Sequence, residues 1–156
     1  MTKRIRYALA ACVVLAAGLV ATAASASPPE TTTNVVKDSE TFVDVLPMCE
    51  GGSLYEITID YNLIEHSTVS DKGEHFTFTQ TGTFVAVALE PGALDASGRF
   101  TQWGGFNQNP GGAVNGTFTF SVRGAYEDGT RINFHTVDHF NETPTGAQFG
   151  FSRCHD

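Results

Sequence analysis

The sequence predicts an all-β fold, an antiparallel up-and-down β-barrel of about seven or eight strands, with a two-sheet β-sandwich as the alternative. Three observations carry this. Runs of strictly alternating apolar and polar residues recur after residue 39, Asp/Gly-containing turns separate them, and no helix-length amphipathic pattern interrupts them. Connections between sequence neighbours favour a meander, and a closed barrel leaves no strand edge open.

The clearest element is the hairpin Gly116–Phe140, whose two alternating runs flank Glu127-Asp128-Gly129. A two-residue loop would set Val122 against His135 and mix apolar with polar residues on both faces. A three-residue loop pairs Tyr126 with Thr130, Val122 with Phe134 and Phe120 with Thr136. One face then collects Phe118, Phe120, Val122, Ile132 and Phe134. A one-residue slip inverts a strand, so coherence of the faces selects the three-residue loop. Gly129 suits the left-handed position of its bulged turn.

A second hairpin runs from Leu54 through Ala86. Tyr55, Ile57, Ile59, Tyr61 and Leu63 share one face, and the turn lies at Asp71-Lys72-Gly73. Pairing Asp71 with Glu74 would set Tyr61 beside Phe84, Ser67 beside Phe78 and Leu63 opposite Gly82. A mid-strand glycine marks a bend or a close approach, as long curved strands require. Thr41–Leu46 reads as a short first strand ending at Pro47. Glu90–Gly98 is a polar loop, and Arg99–Phe106 is a strand with Phe100, Gln102, Gly104 and Phe106 on one side. Asn107–Gly116 is a glycine-rich connection, and Ala147–Arg153 is a last strand on which Phe149 and Phe151 share a face.

The start of the chain resembles a secretory leader. Lys3, Arg4 and Arg6 precede the apolar run Ala8–Val20, and Ala24-Ser25-Ala26 supplies small residues for cleavage. The expected organisation is a signal peptide over 1–26, a flexible N-terminal segment over 27–38 and a single barrel domain over 39–156. The protein is expected to be secreted from a bacterial cell, with no stable membrane insertion after cleavage. Removal of the leader leaves six basic and seventeen acidic residues, a net charge of −11. That acidity argues against nucleic acid and anionic membranes as partners. Cys12 departs with the leader, so Cys49 and Cys154 have one possible pairing, a disulfide in an oxidising compartment.

No cofactor or metal is expected. His135 and His139 share a strand face but stand about 13 Å apart, too far for one ion. Ser121 faces His135, yet no nucleophile elbow accompanies them. Asp60 and Glu65 fall on opposite faces of one strand. Asp138 is unusual, a carboxyl on the apolar face across from Phe118. The candidate ligand-binding lining is the barrel interior: Tyr61, Phe76, Phe78, Phe84, Phe118, Phe120, Phe134 and Asp138. A barrel of this size either fills its interior with side chains or leaves room for one small molecule.

The run Phe100-Thr101-Gln102-Trp103-Gly104-Gly105-Phe106-Asn107, with Gly116–Phe120, Arg123-Gly124 and Asp128–Ile132 followed by His135, resembles a group of small secreted actinobacterial β-proteins. That resemblance implies export and a β-fold, and no chemistry. A glycine-rich loop followed by Gly116–Gly124 is also similar to the allene oxide cyclase and dirigent barrels. This similarity implies an antiparallel barrel that steers an apolar guest by cavity shape, and it transfers no catalytic residue. Three functions follow as expectations. The first is a secreted barrel binding a small hydrophobic molecule. The second is a cyclase- or isomerase-type enzyme using Asp138 or Tyr61. The third is a non-catalytic envelope or partner-binding protein.

Overall fold

The computed structural model describes residues 28–46, 48–49 and 52–155, so the leader expected over 1–26 lies outside the described residues. Seven strands follow one another: β1 Glu30–Val45, β2 Leu54–Ser70, β3 Gly73–Ala88, β4 Ala96–Gln108, β5 Val114–Tyr126, β6 Arg131–Glu142 and β7 Gln148–His155. Each pairs antiparallel with its sequence neighbours in a single sheet of order β1 to β7. The up-and-down topology is the expected one, and the two-sheet alternative is excluded.

The sheet is not closed, because β1 and β7 each have one strand neighbour. Parity supplies the reason. Strands of a meander alternate in direction, so the seventh runs the same way as the first, and closure would need a parallel pair in an antiparallel sheet. A covalent link spans the opening instead. The Cys49–Cys154 disulfide joins the β1–β2 connection to β7, with Cα atoms 5.7 Å apart.

The organising hairpin has the expected register, with Val122 opposite Phe134 and Phe120 opposite Thr136. Its three-residue loop is closed by Tyr126 N donating to Thr130 O at 2.9 Å, with Gly129 at φ 85°. The β2–β3 hairpin corrects the expected pairing by two residues. Ser70 pairs with Gly73, Ser67 with Phe76, Ile59 with Phe84 and Tyr61 with Gly82. The loop is therefore Asp71-Lys72. Ser70 Oγ accepts from Lys72 N at 3.2 Å and donates to Gly73 O at 3.3 Å, tying the turn at this register. A shift of two preserves every face, so the apolar set stays together.

The first strand is longer than expected. It begins at Glu30 rather than near Thr41, taking up most of the segment read as a flexible lead-in. The Pro-Pro and threonine composition suggested a linker, but β2 offers a partner along its whole length. Side chains support the pairing: Thr31 with Thr68 at 3.0 Å, Thr33 with His66 at 2.8 Å, and Asn34 donating to Glu65 at 3.1 Å. β4 likewise begins at Ala96, inside the expected polar loop.

Directly opposed residues share a face, so the pairings assign an inner face throughout. It carries Ile57, Ile59, Phe78, Phe84, Phe100, Phe106, Phe118, Phe120 and Phe134, and ten of the twelve Phe point inward. Rings need room on a coiled sheet, and facing glycines supply it. Phe100 lies over Gly82, so a Cβ there would come within 2.8 Å of the ring and 2.3 Å of Asp60 O. Phe78 covers Gly104 in the same way.

Call the end with the β1–β2, β3–β4 and β5–β6 turns the lower end. The core sits there, around Leu46, Tyr55, Ile57, Phe84, Phe100, Val122, Ile132 and Phe134, all buried. β7 stops opposite His135, leaving the lower part of β6 without a strand neighbour on that side. The β1–β2 connection covers this gap. Leu46 packs into the core, Tyr126 Oη donates to Met48 Sδ at 3.5 Å, and Cys49 is bonded to β7.

Candidate ligand-binding cleft

An apolar cleft of about 220 Å³ opens on the inner face above the core. Phe42 of β1, Ile57 and Ile59 of β2, Phe84 of β3, Phe100 of β4, and Phe120 and Val122 of β5 form its walls, with Leu46 at its lower end. Alternation delivers these residues to one side of their strands, and the coiling of the sheet turns β1 toward β5. The volume lies below the roughly 300–1,000 Å³ of pockets for drug-sized molecules, so the space suits a smaller guest.

Three polar side chains break the apolar lining, two of them amides. Gln80 and Gln102 stand directly opposite each other on β3 and β4, both half-buried, and both line the cleft. Neither amide has a side-chain hydrogen bond among the described residues. Among the described residues, no polar side-chain atom is both fully buried and unpartnered, so the amides keep access to the cleft space. Each offers two N–H donors and a carbonyl acceptor. Asp44 also reaches the lining, where its Oδ1 accepts from Val45 N at 2.8 Å.

Of the residues expected to form the ligand-binding interior, only Phe84 and Phe120 line this cleft. Phe134 is buried in the core and contacts Phe120 edge-on, with ring centroids 6.0 Å apart. Phe76, Phe78 and Phe118 lie higher on the inner face, in a half-exposed ladder with Phe106 and Phe140 whose centroids are 5.7–6.3 Å apart. Asp138 stands beside that ladder, opposite Phe118 and Ser152. Tyr61 faces Asp38 and Gly82. Burial, and then the carboxylates of Glu40 and Asp38, raise its phenol above the ordinary value. Neither Tyr61 nor Asp138 lines the cleft.

The outward histidines hold ordinary cross-strand partners. His135 Nδ1 bonds Ser121 Oγ at 2.7 Å and His139 Nδ1 bonds Thr117 Oγ1 at 2.8 Å, as the register requires. The His139 ring also lies against Phe151 at 5.6 Å. Among the described residues no cluster of His, Cys, Asp and Glu is arranged to hold a metal ion.

Gln80 was missed by sequence reasoning, and Gln102 was placed only on a face. Their signal was present, since each is a polar residue at an inward position next to an aromatic one, with an inward glycine on its other side. What the alternation could not show is that the two meet each other and the cleft. Among the described residues, no helix is long and apolar enough to cross a membrane. No protein-family model matches this chain, and neither a curated protein nor a solved structure matches it.

Proposed function

We propose that this is a secreted binding protein that holds one small, mainly apolar molecule on the inner face of its open barrel, with the guest's single polar group seated on Gln80 and Gln102. The supporting observation is the pair of unpartnered amides in a mainly apolar cleft, whose one carboxylate, Asp44, is already bonded to Val45 N. A half-buried amide without a partner forgoes a hydrogen bond worth about 0.5–1.5 kcal/mol net, which a guest carbonyl or hydroxyl restores. The aromatic walls supply non-directional affinity, and the amides orient the guest. The disulfide is consistent with an oxidising location, and the expected leader with export. This is the same class of activity that the similarity to apolar-guest barrels implied.

The test uses N-phenyl-1-naphthylamine, an uncharged fluorescent probe small enough for the cleft, with the disulfide-bonded protein. Saturable binding is expected, with displacement by a medium-chain ketone or alcohol in preference to a hydrocarbon of equal size. The double variant Gln80→Leu/Gln102→Leu should keep the probe and lose that preference. A native protein that ignores the probe overturns the reading.

A further inference from the structure

The outer face is chemically unlike the rest of the molecule. The chain has seventeen acidic residues, yet among the described residues the outward positions of β3 to β7 carry none. Strand carboxylates fall elsewhere: Glu30, Asp38, Glu40 and Asp44 are inward on β1, Glu65 is inward and Glu56 and Asp60 outward on β2, Glu74 is inward on β3, and Asp138 and Glu142 are inward on β6. Four arginines stand on the carboxylate-free face: Arg99, Arg123, Arg131 and Arg153.

Arg99 and Arg123 are directly opposed on β4 and β5. Opposed side chains on antiparallel strands have Cβ atoms about 4.5–5.5 Å apart, and like charges there are unfavourable. Neither guanidinium has a carboxylate partner among the described residues, and both are exposed. The surrounding outward positions carry short hydroxyl and amide side chains: Thr81, Thr83, Thr101, Ser121 and Asn133. Trp103, 38% exposed, lies four residues along β4 from Arg99, about 14 Å away, with its ring over Gly105.

We propose that this outer face binds an acidic polysaccharide. Arg99 and Arg123 take its anionic groups together, the threonine, serine and asparagine side chains meet its hydroxyls, and Trp103 stacks on a sugar ring. Planar guanidiniums suit carboxylate or sulfate oxygens in paired hydrogen bonds. The overall negative charge opposes a polyanion at long range. At physiological salt, however, the screening length is about 8 Å, so charges across the sheet weigh little beside two arginines in direct contact. The site is separate from the inner cleft, and neither depends on the other.

Trp103 is the only tryptophan in the chain, so its emission reports this face directly. The intact protein is titrated with alginate, a polycarboxylate, and with dextran sulfate, with uncharged dextran and duplex DNA as comparators. A saturable change in emission is expected with at least one acidic polysaccharide, showing which anionic group is preferred. It should weaken with added salt and be absent with dextran. The double variant Arg99→Gln/Arg123→Gln should bind about tenfold more weakly or worse. Lys72→Gln, in the β2–β3 turn, should bind unchanged, and near-UV circular dichroism matching the parent shows that the variants are folded. The proposal is overturned by silence toward both polysaccharides, by an unaffected arginine variant, by an equal loss in Lys72→Gln, or by equally tight binding of DNA.

Discussion

The two ends of the inner face are built from similar residues and differ in burial. At the lower end Phe84, Phe100 and Phe134 are 5–8% exposed, whereas at the upper end Phe76, Phe78, Phe106 and Phe118 are half-buried and Phe140 is 37% exposed. Strand pattern does not separate them, since both sets alternate on long strands and both include rings over glycines, Phe84 and Phe100 below and Phe78, Phe106 and Phe140 above. Closure does. The β1–β2 connection, with Leu46 in the core and Cys49 bonded to Cys154, covers the lower end, while the rings of the upper ladder stay partly exposed. Alternation thus selects which residues can be buried, and a crossing loop selects which of them are.

The largest test of this contrast removes the seal. Cys49→Ala/Cys154→Ala opens a link spanning 105 residues and should cost about 4–5 kcal/mol in denaturant unfolding. Native-state hydrogen exchange should then rise first in the lower strands, and equal loosening of both ends would refute the sealing role. Next, Phe134→Ala should lose about 3–5 kcal/mol as a buried ring, and Phe140→Ala only about 1 kcal/mol. Comparable losses would show that the two ends are equally packed.

Glycine substitution sharpens the comparison further. Gly82→Ala drives a Cβ into backbone as well as into the Phe100 ring and should cost about 2–3 kcal/mol. Gly104→Ala meets only the Phe78 ring, which can swing outward, and should lower the Tm less.

The smallest expected effect is a pH dependence at the lower end. Burial, and then the neighbouring Tyr126, hold the Tyr55 phenol above its ordinary value of 10.0. The folded state therefore keeps a proton that the unfolded chain loses first. The resulting stability is complete below pH 10 and declines as pH rises through the folded value. Tyr55→Phe should flatten that alkaline decline in thermal melts, and an unchanged slope would assign it to other groups.

Much of the fold was legible in the sequence. The β5–β6 register followed from one coherent apolar face and a glycine able to take positive φ at position 129. The disulfide followed from counting two cysteines once the leader is set aside. The β2–β3 register was off by two residues because either pairing keeps the same faces, and only the bonding of Ser70 in the turn distinguishes them. The early start of β1 was hidden because threonine-rich composition fits both a linker and an edge strand.

By itself the sequence determined the strand faces, the meander and the cysteine pair, because alternation, turn chemistry and counting are local or nearly so. Tertiary structure decided how far the sheet coils, which end the β1–β2 connection covers and that Gln80 meets Gln102 inside a cleft. It also decided that four arginines share the outer face of β4 to β7, where no strand carboxylate points outward. Those outcomes depend on which strands become neighbours and where the chain crosses back, and no single strand's pattern encodes either.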